Sequence, residues 1–282
     1  MIDAARFDRS IVATIARKEL RDAVHDRWFW FYAAGFAALA GILANLALPG
    51  ATVAGYGAFG RSASSLVALV QLIVPLMGLT LGAQALAGQQ ERGTIRFLMA
   101  HPVSRTEVYL GTYLGLVLAL FATVAAGFGA AGLVTGLRGG AADAAAFSRI
   151  AVLSSVLAAT MLALGLLVSA YTRRTTVAMG AALFVWLGLV FLGDLGIMGA
   201  AVATRLPVSV LFFSALLNPI EAFRLATLTS FQGSLDVLGP AGTYAVDRFG
   251  EGIDPLLFGV LGLWIVVPAG VAWMRFTRTK DL

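Results

Sequence analysis

The sequence contains no cysteine. That excludes disulfides, iron–sulfur ligation and thiolate metal sites. Lysine is almost as scarce, with Lys18 following Arg17 and Lys280 following Thr279. A phosphate-binding P-loop requires a Gly-Lys pair, so ATP used with this protein is expected to be hydrolysed by another chain. The histidines are His25 and His101, on separate elements and without an H-E-x-x-H pattern, which supplies no chelate for zinc or copper. Charged residues make up only 12% of the 282, against 59% hydrophobic, and the mean hydropathy is +0.87. A soluble domain of this size cannot hide so much apolar surface. Helices fit such runs because they satisfy every backbone polar group internally.

What is present is a series of apolar runs long enough to cross a bilayer, which takes about 20 residues of α-helix. They predict an all-α polytopic membrane protein with six spans, at about 28–48, 64–87, 108–137, 148–170, 177–198 and 255–274. Residues 1–27 are charged and long before the first run, which reads as no cleavable signal. They predict an amphipathic elbow helix in the membrane interface, capped by Ser10, with Val12, Ala16, Leu20, Ala23 and Val24 on its apolar face. Trp28, Trp30 and Tyr32 mark the headgroup level. The whole of 1–282 reads as one transmembrane domain. Within 199–254, the apolar piece 208–217 is too short to cross and reads as re-entrant or interfacial.

Orientation follows from the basic residues. Fourteen of the 20 fall on one side, and Arg61, Arg138, Arg149, Arg205, Arg224 and Arg248 on the other. The richer side is assigned to the cytoplasm, with both termini, residues 88–107 and the turn at Arg173-Arg174. The clustering beside the spans makes membrane topology, and not nucleic acid, the cause of the net charge of +5. Segment 199–254 then faces outside.

Residues 88–107, GQQERGTIRFLMAHPVSRTE, organise the rest. They carry Glu91, Arg92, Arg96, His101, Arg105 and Glu107, so they cannot sit in hydrocarbon. Ile95, Leu98 and Met99 recur at helical spacing opposite Arg96, and Pro102 stops the helix after Ala100. A short amphipathic helix held between two spans is a lever that can receive force from a soluble partner.

Other patterns carry competing readings. Residues 55–60 match G-x-G-x-x-G, but they lie in a loop between spans, without the strand and helix a dinucleotide site needs. Asp194 near the end of the fifth span is either functional or reaches the interface or Arg205. Asn218-Pro219-Ile220-Glu221 is an N-cap, an N1 proline and an N3 acid, with Arg224 able to pair with Glu221. It is either plain helix architecture or a docking surface outside the membrane. Gly111-x-x-x-Gly115 and Gly132-x-x-x-Gly136 permit close helix approach. Met77, Met161, Met179, Met198 and Met274, scattered over four spans, suit packing better than metal coordination.

Glu91, Gly93-Thr94, Leu98, Pro102-Val103-Ser104-Arg105, Val108 and Gly111 resemble the signature between spans two and three of ABC-2-type ABC transporter permeases. The Arg17-Lys18-Glu19-Leu20 entry helix, the six spans and the long outer segment are similar to that family across nearly the whole chain. Thr112 departs from it, standing where the family often has lysine. Residues 218–225 and Leu238-Gly239-Pro240 resemble the branch in the Nos transporter, which serves maturation of the copper enzyme nitrous-oxide reductase.

The resemblance implies a type V exporter-like fold working as a homodimer in the inner membrane, without catalytic residues or a bound cofactor. ATP and Mg would sit on a separate cytoplasmic ATPase (NosF-like), and a periplasmic β-helix protein (NosD-like) would bind outside. Glu91, Arg92, Gly93, Thr94, Arg96, Leu98, Pro102, Ser104, Arg105, Arg173 and Arg174 would form the ATPase-coupling contacts. Asn218, Pro219, Glu221 and Arg224 would meet the outer partner. A copper species, a sulfur species or a mechanical signal all fit as what is passed on. A generic lipid or drug exporter, or a stand-alone channel or enzyme, are the alternatives.

Overall fold

A computed structural model of the chain describes residues 7–46, 58–100, 102–137, 144–191, 193, 207–228 and 248–278. Their regular structure is helical: α1 (Arg9–His25), α2 (Arg27–Leu46), α3 (Ala58–Glu91), α4 (Thr94–Met99), α5 (Arg105–Leu137), α6 (Ala144–Tyr171), α7 (Thr175–Phe191), α8 (Val208–Leu216), α9 (Pro219–Leu228) and α10 (Ile253–Arg278), with a short 3-10 turn at Gly250–Gly252. The G-x-G-x-x-G glycines 55 and 57, His101, Asp194, Arg205, the 238–240 motif and Lys280 lie outside the described residues.

Among the described residues, four helices are long and apolar enough to cross a membrane, at Leu66–Glu91, Arg105–Val134, Phe147–Tyr171 and Ile253–Arg278. Two shorter apolar helices, Phe29–Leu43 and Thr175–Phe191, accompany them. The pair α8 and α9 is bent by 113°, as a broken span or a re-entrant loop. The short apolar piece expected at 208–217 is therefore a helix, Val208–Leu216, and it turns back. The cap of α1 is Asp8 and not Ser10: the Asp8 carboxylate accepts from the Ser10 amide at 2.8 Å. Aspartate two residues before the first turned amide outcompetes the hydroxyl, and Ser10 instead accepts at its carbonyl from the Thr14 hydroxyl.

The most extensive helix contact joins α3 and α6. Glycine makes it possible. A Cβ on Gly82 would lie 2.5 Å from the Leu162 carbonyl oxygen, and one on Gly165 2.5 Å from that of Leu79. Backbone thus meets backbone, and the flanking Met77, Leu79, Met161, Leu162 and Leu166 are fully buried or nearly so. The methionines at this crossing fill core, whereas Met274 on α10 is 40% exposed. Of the two pairs flagged by spacing, Gly111 and Gly115 form a second close crossing, in which α1 lies on α5. A Cβ there would meet Ile15 Cβ at 2.6 Å and the Ala16 carbonyl at 2.5 Å. Gly132 faces the Phe147 ring and Gly136 faces nothing within 4 Å, so that pair is no seam.

Burial separates centre from periphery. In the most apolar stretch of α3, 72% is buried inside the chain, against 22% for α10. Leu263, Val266 and Val267 of α10 and Phe184 of α7 face outward, as lipid-facing or partner-facing side chains do.

Gly165→Ala is expected to destabilise the chain by about 1–3 kcal/mol through overpacking. Gly180→Ala, whose Cβ meets nothing within 4 Å, should be neutral or stabilise by up to about 1 kcal/mol. Thermal unfolding of the two variants in the same detergent compares them directly.

Candidate functional site

The polar segment between α3 and α5 forms a bracket. Its first corner is Gly93, at φ 70°, where a left-handed residue lets α3 stop and α4 begin. The Gly93 amide bonds the Gln90 carbonyl at 3.0 Å, and the Gly93 carbonyl receives the Phe97 amide. Helix α4 ends at Met99, one residue before the expected Ala100. Ile95 is 1% exposed and Leu98 packs half-buried on the core, as their spacing required. Phe97 points out and is 69% exposed, an outward apolar side chain that the stripe reading missed. Backbone alone is described at Arg96.

The second corner is a capping box. The Glu107 amide bonds the Ser104 hydroxyl at 3.2 Å, and the Glu107 carboxylate accepts from the Ser104 amide at 2.7 Å. Its other oxygen accepts from the Asp8 amide at 2.7 Å, fixing the start of α1 to the start of α5. Glu107 is fully buried. The S-x-x-E spacing of Ser104 and Glu107 is the signal for this box, and the reading of the sequence missed it. Beside it the Ser10 amide and hydroxyl hold the Asp8 carboxyl below the usual carboxylate range.

Further along α1, Glu19 accepts from the Gln89 side chain at 3.1 Å and pairs with Lys18 at 3.0 Å. Burial opposes the Lys18 charge, but Glu19 and Asp22 outweigh it and raise the lysine pKa. The entry helix is thus fastened to both arms of the bracket.

The basic turn after α6 comes to the same place. Glu91, at the end of α3, accepts from the Thr175 amide at 2.9 Å and from the Thr175 hydroxyl, so it caps the first turn of α7. Arg92, Arg173 and Arg174 are exposed around it, as is Pro102. Arg105 donates to the Phe276 carbonyl at 3.3 Å, Trp273 donates to Thr106, and Arg275 stacks over the Tyr171 ring. The two loops, α1 and the end of α10 therefore occupy one end of the bundle. Thr94 is half-buried within that surface.

At the opposite end Asn218 caps α9, accepting from the Ile220 amide at 3.0 Å while its amide group donates to the Leu189 carbonyl at 2.6 Å. The expected N-cap and N1 proline are in place. Helix α9 folds back against α3, α6, α7 and α10, with Ala222, Phe223 and Thr227 fully buried. Asn218 and Pro219 are buried too, and the Glu221 side chain is 12% exposed. Arg224, at 3.8 Å from Glu221, is the exposed member of the four. The six hydrophobic residues among the ten of α9 gave no sign in advance of this packing. Arg149 pairs with Asp254 nearby.

A model of the ABC-2 family transporter proteins matches residues 13–282. The chain belongs to the ABC-2 transporter family. It is similar to the "Probable ABC transporter permease protein NosY" of Stutzerimonas stutzeri, at 30% identity over 93% of this chain and 91% of that one. The protein of the same name from Pseudomonas aeruginosa is 32% identical over 79% of this chain and 84% of its own. As an ABC-2 permease, the chain is a multi-pass membrane subunit, and the ATPase is a separate protein. Among the described residues no three His, Cys, Asp or Glu side chains converge as metal ligands. The polar end of this permease is a fastened surface with Arg92, Arg173, Arg174 and the outward Phe97 exposed on it.

Glu107→Ala should release the start of α1 and cost about 1–2 kcal/mol, the size of a lost helix cap. Hydrogen exchange read by mass spectrometry should show the Asp8 and Ser10 amides losing protection while α6 is unchanged.

Proposed function

We propose that this permease is a non-catalytic subunit that couples ATP hydrolysis by a cytoplasmic NosF-like ATPase to export, or to mechanical signalling to a periplasmic NosD-like β-helix protein. The setting is maturation of nitrous-oxide reductase. It works as a homodimer in the inner membrane, with α2, α3, α5, α6, α7 and α10 as six spans, α1 in the cytoplasmic interface, and both termini cytoplasmic. ATP and Mg stay on the partner, and this chain binds no cofactor. The observation that carries the reading is the Glu91–Thr175 link, which joins the α4 bracket and the Arg173-Arg174 turn into one surface. A single ATPase face meeting that surface would move both loops together. The extent of likeness to NosY supports the Nos setting.

In this reading Phe97 is the anchor that enters an apolar pocket of the ATPase, and Arg92, Arg173 and Arg174 form a charged rim that guides docking. Arg224 is the contact left for an outer partner, since Asn218 and Pro219 are enclosed by the chain itself. ATP-driven closure of the ATPase pushes α4, and the packed helices pass the shift on as one arrangement replacing another.

Phe97→Asp should weaken ATPase association by roughly thirtyfold, the scale of a lost interface anchor worth about 2 kcal/mol. Membrane insertion should be unaffected. Arg173→Glu with Arg174→Glu should slow association and flatten its salt dependence. Affinity of the purified chain for a NosF-like ATPase, with nitrous-oxide reductase maturation in cells, checks both. Unchanged association in every variant would put the docking surface elsewhere.

A further inference from the structure

Ser169 lies in the last turns of α6, fully buried, with its hydroxyl against the backbone of α3. It donates to the Ala83 carbonyl at 2.7 Å, and accepts from the Ala87 amide at 2.7 Å and the Leu86 amide at 3.1 Å. In a regular α-helix the Ala87 amide pairs with the Ala83 carbonyl, and the Leu86 amide with that of Gly82. A side chain of one helix therefore bonds both the donor and the acceptor of a rung in another, a position from which a hydroxyl can enter the ladder and bend the helix. Other hydroxyls of α6 behave differently: Ser154, Ser155 and Thr160 bond the carbonyls four residues earlier on their own helix.

Position gives this rung its meaning. Immediately before it, Gly82 and Gly165 hold α3 and α6 backbone to backbone, so α3 cannot shift there. Immediately after it, Gln89 and Glu91 tie the end of α3 to α1 and α7 and lead into the bracket. Ser169 thus stands between a fixed part of α3 and the part that carries α4.

Two arrangements leave no group unpaired. In one, the hydroxyl bridges Ala83 and Ala87. In the other, Ala87 bonds Ala83 directly, and the Ser169 hydroxyl turns to the Gly165 carbonyl, four residues back on its own helix. Exchange between them strands no donor in a water-free interior, where an unmade bond is costly. We propose that Ser169 is the pivot about which the bracket end of α3 swings, a positioning residue that exchanges one hydroxyl bond as α4 is driven. The proposal rests on the coupling reading above.

The test uses the chain assembled with its ATPase in lipid nanodiscs. Because the sequence has no cysteine, Ala100→Cys and Val152→Cys introduce one nitroxide in the bracket and one on the far part of α6. The pair's distance distribution is measured without nucleotide and with ATP trapped on the ATPase. The expected result is an ATP-dependent shift in the otherwise unaltered chain, its loss in Ser169→Ala with the ATPase still bound, and its return in Ser169→Thr, which keeps a hydroxyl. If Ser169→Ala does not assemble, Ser169→Val is compared with Ser169→Thr, which matches it in shape and differs by the hydroxyl. A shift in the hydroxyl-free variant equal to that of the unaltered chain overturns the pivot while leaving coupling intact. An unaltered chain that binds the ATPase yet shows no shift overturns the coupling reading itself.

Discussion

Where a helix leaves hydrocarbon its polar groups must still be satisfied, and Glu91 and Glu107 meet that requirement on backbone amides of other elements. The rest of the polar end depends on this choice. A carboxylate paired with a flexible arginine would leave the loops free to move separately. One held by the amide that begins another helix fixes that helix in direction as well as position. Glu91 fixes α7 and Glu107 fixes α1, so the bracket between them has two arms attached to different parts of the bundle.

Arg92, Arg173 and Arg174 lie exposed beside Glu91, and the charges of Arg174 and Arg92 help, after the Thr175 hydrogen bonds, to hold its carboxyl below the usual range. In the proposed reading, internal fastening and external binding fall to different side chains within a few residues of each other. The same division appears in α4, where Ile95 is buried as its neighbour Phe97 projects. A lever needs both properties, since a bracket that docks without being anchored would absorb motion, and one anchored without a contact would receive none.

Much of the fold was legible because hydrocarbon imposes a simple rule, that a run of apolar residues of sufficient length becomes a helix. The four long helices fall where the runs do, and Asn218 and Pro219 open α9 as their chemistry requires. Contacts between runs were harder to read, because small residues occur throughout. Gly82 and Gly165 form a backbone-to-backbone crossing and carry no pattern that separates them from Gly132 and Gly136, which form none. The burial of α9 depends on the bend after Leu216, a feature of the turn and not of either helix's periodicity. At the polar end, Ser104 and Glu107 carry the spacing of a capping box that was passed over, whereas the reach of Glu107 to Asp8, 99 residues away, belongs to tertiary structure alone.

The most direct measurement of the central claim is thiol protection in inside-out vesicles, with Ala100→Cys on the bracket and Thr176→Cys on α7 in the cysteine-free chain. A membrane-impermeant maleimide should label both positions in the absence of the ATPase, and the bound ATPase should shield both together. Shielding of one without the other, or labelling from the outer face, would contradict a single fastened surface facing the ATPase.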